Sequence, residues 1–245
     1  MDVNAMSLSN PGSDLIANEG DLLEDILPLQ GAAVLELGCG KAEKTRIVAK
    51  EAASVLALEV DEIQLSKNRV IPDLPNVTFA YGGAETIPAD DSIFDLVLMF
   101  KSLHHVPVEL MDEAFSEMSR VLRPGGLAYI SEPVYAGDFN DILKLFHDEK
   151  HVREAAFAAE KRAVLSGKFA LVTQKYFLQP MHFDSFSQFE DQVIKVSHSD
   201  HQLSRELVGE VRLKFDQHMS AEGANFFMPI RIDLLKKVNQ EIVDA

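Results

Sequence analysis

Two glycines one residue apart, Gly38 and Gly40, stand between an apolar run and a polar helix start in the stretch "VLELGCGKAEKT". A turn of this kind lets a ligand approach the backbone at the end of a buried strand. Glu36 lies two residues before the first glycine, and Glu59 closes the next strand-like run, "SVLALEV", about 20 residues further on. That spacing, in the order strand, turn, helix, strand, suits a carboxylate that accepts both hydroxyls of a ribose. Taken alone, Glu59 would read as an ordinary exposed strand end. Further along, "KSLHHV" and "SEPVY" offer His104, His105 and Glu132. The imidazoles can exchange a proton near neutral pH, and the carboxylate can orient a hydroxyl or attract an amine. The plainer reading has one histidine packed in a turn and the other solvated.

The turn discriminates between two kinds of adenosine ligand. A dinucleotide turn follows G-x-G-x-x-G/A, whose third small residue brings the helix N-terminus to a pyrophosphate. Here that third position is Glu43, a carboxylate close to where two phosphates would sit. Glu36 would instead welcome a cationic amino-acid end. S-adenosylmethionine fits this description, with an ammonium, a sulfonium and no phosphate.

Composition narrows the function classes. The chain has 245 residues, 47% of them hydrophobic, enough for one sizeable core. A formal net charge of -16 without any long Lys/Arg run disfavours nucleic acid as a partner. Cys39 is the single cysteine, so an intramolecular disulfide or a cysteine-rich metal site is excluded. It reads as a packing residue, since Glu36 nearby opposes a thiolate. His147 and His151 are four residues apart but fall opposite an apolar helix face, and "HSDH" at His198 to His201 has no evident third ligand. No metal is expected. The beginning of the sequence lacks signal-peptide character, and no stretch approaches the length of a membrane span. A soluble, cytoplasmic protein is expected.

These residues need elements to hold them. "AAVLEL", "SVLALEV", "NVTFAY", "FDLVLMF" and "LAYISEP" read as strands, alternating with helical patterns near Lys44 to Glu51, Glu62 to Arg69 and Val108 to Leu122. The alternation predicts an α/β fold, a doubly wound, mostly parallel sheet. The Met and Phe stripe of the third helix reads as core. Asn140 to Ser166 reads as one long helix, with strand-like "KYFLQPMHF" and "NFFMPIRIDLL" later; Pro180 and Pro229 suit edge or bulge positions there.

Four stretches in order, "VLELGCGKA", "LALEVDEIQL", "GGAETIPADDSIFDLVLMFKSLHHV" and "EMSRVLRPGGLAYISEP", resemble the motifs of the class I S-adenosylmethionine-dependent methyltransferases, in particular the small-molecule group that includes ubiquinone and menaquinone biosynthesis enzymes. The resemblance covers residues 22–133. It implies a Rossmann-like, seven-stranded sheet with an antiparallel last strand and S-adenosylmethionine as cofactor, with S-adenosylhomocysteine as product. By the same resemblance Glu36, Gly38 and Gly40, with Cys39 between them, line the methionine end, Glu59 holds the ribose, and Val60 lies against adenine. Ala84 and Glu85 match the adenine-contact pair, and Phe100 and Lys101 flank the cofactor. Two positions depart from the pattern: Ala42 replaces a usual third glycine, which requires a backbone free of positive φ, and Gly83 replaces an Asp that often binds the adenine amino group.

The expected organisation is a flexible segment 1–17, a cofactor-binding core 18–134, a helical cap with sheet-edge insertions 135–224, and a final strand and tail 225–245. The cap aromatics Phe139, Phe146, Tyr176 and Phe183 suggest an apolar pocket for a neutral or hydrophobic small acceptor; alternatively they hold the cap's own core. The leading function is methyl transfer to a small molecule. A non-catalytic adenosyl-ligand or partner-binding module and a nicotinamide oxidoreductase are the alternatives.

Overall fold

The computed structural model describes residues 3–10, 12–195 and 203–239. The first five strands are β1 (Ala33–Leu37), β2 (Ser54–Glu59), β3 (Val77–Tyr81), β4 (Phe94–Phe100) and β5 (Leu122–Pro133). All five run parallel in the spatial order β3, β2, β1, β4, β5. The sheet continues into two long strands, β6 (Phe169–Phe183) and β8 (Gly223–Lys237). β8 lies between β5 and β6 and runs antiparallel to both, and the two-residue β7 (Met219–Ser220) pairs with it. This is the doubly wound sheet, with β6 and β8 as the final pair.

Alternate residues of the central strands feed different cores, as the pleat requires. Val34, Leu96 and Leu98 face α1 (Glu19–Ile26) and α2 (Glu43–Val48). Leu35, Val97 and Met99 face α4 (Met111–Val121) and α6 (Lys150–Leu165), and the α4 stripe of Met111, Ala114, Phe115 and Met118 is buried there. Between α2 and α4 lies α3 (Glu62–Asn68), capped by Asp61, whose carboxylate accepts the Ile63 and Gln64 N–H groups.

The single long helix expected from Asn140 to Ser166 is two helices, α5 (Asp138–Leu143) and α6. The break places Glu149 ahead of α6, where its carboxylate meets Arg153 one turn later at 2.5 Å. Pro180 sits on β6, the sheet edge. Pro229 occupies β8 just past Ile230, the last residue paired to β5, so its missing donor costs no ladder bond on that side.

A third core closes the far end of the β6 and β8 ribbon, with α5, α7 (Phe186–Phe189) and α8 (Arg205–Asp216). Phe139, Phe183, Phe186, Phe189, Phe215 and Phe226 are all buried in it, with ring centroids 5.0 to 6.3 Å apart. Phe139 and Phe183 therefore serve the cap's own core. Tyr176 is also away from a pocket: its hydroxyl lies on Ser7 and Gln174. The segment expected to be flexible is held along β6 over its described residues, with Leu15 O accepting Leu178 N–H at 2.7 Å and Ala17 N–H donating to Leu178 O. An edge strand with unpaired backbone groups accounts for that docking.

Candidate functional site

The carboxyl ends of β1, β2, β4 and β5 converge on one side of the sheet, as their parallel direction demands. Leaving β1, Gly38 takes φ +74 and approaches β4's exit so closely that a Cβ would lie 2.8 Å from Ser102 Cβ. Ser102 Oγ in turn donates to Leu37 O at 2.7 Å. Gly40 follows at φ +49. Ala42 breaks the condition set by the sequence, for it adopts φ 62 in the left-handed region and is fully buried. That conformation costs an L-residue roughly 1–2 kcal/mol, which the surrounding turn supports.

Glu59, at the end of β2, ties this turn together. Its Oε2 accepts the Gly40 N–H at 2.8 Å, and its Oε1 accepts the Val60 and Asp61 N–H groups at 2.8 and 2.9 Å. Three backbone donors thus hold a carboxylate that composition alone would leave exposed. Asn68 adds a bond to Gly40 O at 2.7 Å. Cys39 is buried beneath, its thiol pushed up to about 12 by burial and by the Glu36 and Glu59 carboxylates, so it packs and does not ionise.

A cavity of about 250 Å³ opens at the turn, lined by Glu36, Gly38, Gly40, Lys44, Phe100 and Lys101 among others. Glu36 is 1% exposed, and its Oε2 makes no hydrogen bond among the described residues. Burial pushes its carboxyl up to about 8, with the Thr45 hydroxyl and the Lys44 ammonium opposing. An acid in this state is neutral until a cation arrives. Lys101, held at φ 55, places Nζ 2.6 Å from the buried Glu19, and Lys44 Nζ is 3.6 Å from the same oxygen. Burial would lift the Glu19 pKa, but these ammonium groups hold it below the usual carboxylate value. Tyr129 donates to the other Glu19 oxygen at 3.1 Å. The cavity lining therefore combines an acid oxygen without a hydrogen-bond partner with two ammonium groups paired to Glu19.

Of the remaining residues expected at the cofactor, Phe100 lines this cavity, whereas Val60, Ala84 and Glu85 are outside its lining. Val60 is 56% exposed just after Glu59, Ala84 is buried after β3, and Phe100 packs on Tyr129 with centroids 5.4 Å apart. Glu85 folds back over Gly83: its Cδ lies 2.6 Å from where a Cβ on Gly83 would be. The space that an Asp side chain at 83 would enter is filled by the Glu85 carboxylate.

His104 and Glu132 meet. Glu132, from the end of β5, sits 2.5 Å from His104 Nδ1 and accepts the Leu103 N–H at 3.0 Å. Both side chains are almost fully buried. Burial would lower the His104 pKa, yet the Glu132 and Glu149 carboxylates raise it to about 9, while His104 holds Glu132 below its ordinary value. The two carboxylates thus favour the protonated imidazole over the neutral one. His105 is exposed beside it, ring centroids 4.1 Å apart. Sequence reasoning missed Glu19, Lys44, Glu149 and Arg153 in these sites. Lys44 had a local signal, four residues past Gly40; the others come from distant elements. His147 joins Glu149 at 2.9 Å from outside α6, and His151 is exposed; His198 to His201 lie outside the described residues.

Alongside the parallel sheet, the strained glycine turn and the cavity lined by acids and lysines, sequence similarity to known proteins extends over only part of the chain. Residues 34–126 match a family model described as a methyltransferase domain. Over that stretch the chain is similar to proteins described as S-adenosylmethionine-dependent methyltransferases. The demethylmenaquinone methyltransferase of Staphylococcus epidermidis is 32% identical over 108 residues, 42% of this chain and 44% of that protein. The 27-O-demethylrifamycin SV methyltransferase of Amycolatopsis mediterranei is 33% identical over 112 residues, 43% of this chain and 40% of that protein. The chain thus spans less than half the length of these curated relatives. Among solved structures, the YcgJ protein of Bacillus subtilis shares the fold with a TM-score of 0.63 at 16% identity, covering 90% of this chain and 98% of that one. Among the described residues no helix is long and apolar enough to cross a membrane.

Proposed function

We propose that the protein transfers the methyl group of S-adenosylmethionine to a small-molecule acceptor. The observation that carries this reading is the buried Glu36 oxygen without a partner at a cavity that Lys44 and Lys101 also line. Glu36 would receive the ammonium of the methionine end and the lysines its carboxylate, with Gly38, Cys39 and Gly40 giving the backbone surface between them. Glu59 retains lone pairs for a ribose hydroxyl beyond its three backbone bonds, and Val60, Ala84, Glu85 and Phe100 would border the adenosine.

When bound, the sulfonium supplies a methyl group already activated for displacement. The chain's own residues then align the acceptor and exclude water. Glu132 positions His104 as a proton-bearing group, and His105 is the exposed imidazole able to exchange a proton with an acceptor hydroxyl or amine. The core 18–134 serves the cofactor and the cap 135–224 the acceptor. Relatives named for methylating demethylmenaquinone and a demethylrifamycin support an organic acceptor of small size. The acidic balance of the chain disfavours a polyanion, and an aromatic-rich cap favours a neutral or hydrophobic molecule. A cytoplasmic setting, where a lone cysteine stays reduced, belongs to the same proposal.

Calorimetry with S-adenosylhomocysteine tests the cofactor half: measurable heat and a thermal shift are expected, and their absence from a folded sample overturns the reading. Labelled S-adenosylmethionine with a metabolite extract tests the acceptor half. Label in a small organic product supports it; cofactor binding with no labelled product on any extract points to a binding module on this fold.

A further inference from the structure

Three groups near the ends of β4 and β5 converge in a way their spacing in the chain does not reveal. His104 and His105 come from the short turn after β4, and Glu149 from the residue ahead of α6. One nitrogen or oxygen from each lies within 4.8 Å of the others. His104 Nε2 and Glu149 Oε1 are 3.5 Å apart. Bonds of about 2.0–2.1 Å at the tetrahedral angle put neighbouring zinc ligands about 3.3–3.4 Å from each other, so this pair already has the separation of two ligands on one ion.

The outer contacts match as well. Glu132 occupies His104 Nδ1 at 2.5 Å, which fixes the ring and leaves Nε2 directed at Glu149. A carboxylate on the far nitrogen is the usual way a ligating imidazole is oriented and made more basic. Arg153 holds the second Glu149 oxygen at 2.5 Å, and Asn140 holds Arg153 at 3.0 Å. His147 Nε2 reaches the same Glu149 Oε1 at 2.9 Å, so a third imidazole stands at the rim.

We propose that His104, His105 and Glu149 form a binding site for one divalent transition-metal ion of the zinc type, with Glu132 and Arg153 as positioning residues. Two imidazoles and one carboxylate leave one tetrahedral position open, the pattern of zinc sites that bind a water or a substrate oxygen. Use of that position by a methyl acceptor would rest on the methyl-transfer reading; the site itself does not. The competing account is a metal-free network in which His104 bridges Glu132 and Glu149 and His105 packs against the His104 ring.

Cobalt(II) and zinc(II) titrations of the full chain separate the two. One equivalent of Co²⁺ should bind with visible absorption bands of tetrahedral character, and Zn²⁺ should displace it. His105→Ala, at an exposed position, should keep the circular dichroism and melting profile yet bind Co²⁺ at least about tenfold more weakly, with Glu149→Gln as low or lower and Glu132→Gln reduced about 10–100-fold. His182→Ala, on the exposed side chain paired with Asp184, should bind as the parent does. Folded parent protein that takes up no Co²⁺, or uptake unchanged in His105→Ala, overturns the proposal. Because neither S-adenosylmethionine nor an acceptor enters the experiment, failure here leaves the methyl-transfer reading standing, and the reverse holds too.

Discussion

The Gly38 turn and the His104 cluster both sit at the carboxyl ends of the sheet, yet they are assembled in opposite ways. The turn is local. Gly38, Gly40, Ala42 and Glu59 come from one strand, turn, helix, strand unit, and its bonds are mostly between backbone and a nearby carboxylate. The cluster is distributed: Glu132 ends β5, His104 follows β4, Glu149 precedes α6, and Arg231 on β8 lies opposite Glu132 in the ladder. Arg231 is itself buried between Asp233 at 2.5 Å and Glu160 at 3.0 Å. The first leaves a Glu36 oxygen without a hydrogen-bond partner beside a cavity. The second pairs buried charges with one another, leaving Arg153 Nε and Glu160 Oε2 without partners among the described residues, which makes it sensitive to any single loss.

The cap provides the largest expected effect. If its aromatics form a core independent of the adenosyl half, Phe183→Ala should lower unfolding stability by about 3–5 kcal/mol while S-adenosylhomocysteine affinity, measured well below the melting point, stays as in the parent. Phe183 is 2% exposed and meets Phe139, Phe189, Phe215 and Phe226. A weakened cofactor affinity accompanying the lost stability would show the two regions to be one cooperative unit.

The next effect is a pH dependence that both polar sites share in sign and divide in window. His104 is raised from 6.5 to about 9, so its contribution is complete below about 6.5 and is lost as pH rises through 9. At 1.36 kcal/mol per unit this is on the order of 3 kcal/mol. Glu36, raised from 4.5 to about 8, also favours the fold most at low pH, and that contribution is lost as pH rises through 8. His104→Gln should flatten the stability profile between 6.5 and 9, and Glu36→Gln between 4.5 and 8. Profiles that fail to separate in this way would mean that the two sites titrate as one.

Ligand binding sharpens the contrast. An ammonium beside Glu36 favours its ionised form, so binding at pH 7 should release a proton, seen as a dependence of calorimetric heat on the buffer's ionisation enthalpy. Glu36→Gln should abolish the release and weaken S-adenosylhomocysteine by about 1.5–3 kcal/mol, the range for a hydrogen bond to a charged group. The same substitution should raise the melting temperature at pH 8, because the empty site no longer buries a charge. Weakened binding without a change in proton release would place the ammonium elsewhere.

What could be read before folding follows this same divide. The five parallel strands, the α4 stripe, the Asp61 cap and the glycine turn were legible because each depends on residues close in sequence. Glu19 was not, since nothing in "ANEGDLLED" marks the third residue as the buried partner of Lys101, 82 positions away. Nor was the break at Glu149, where a favourable helical pattern yields to a carboxylate that must meet Arg153 and approach His104. The cap aromatics carried a real signal, but composition could not say whether they faced a pocket or each other.

The smallest effect concerns the turn itself. Ala42 stands at φ 62 with its methyl fully buried, so two opposing changes accompany Ala42→Gly. Relief of the left-handed conformation should stabilise the fold by roughly 1–2 kcal/mol. Loss of the buried methyl and the greater freedom of unfolded glycine should cost together about as much. The net change in unfolding free energy is therefore expected within about 1 kcal/mol of zero, with S-adenosylhomocysteine affinity unchanged, since the turn already has the geometry a glycine would give it. Denaturant melts and calorimetry on the same preparation measure both quantities. A loss of affinity without a loss of stability would show that the alanine methyl, and not only the backbone it constrains, shapes the cavity.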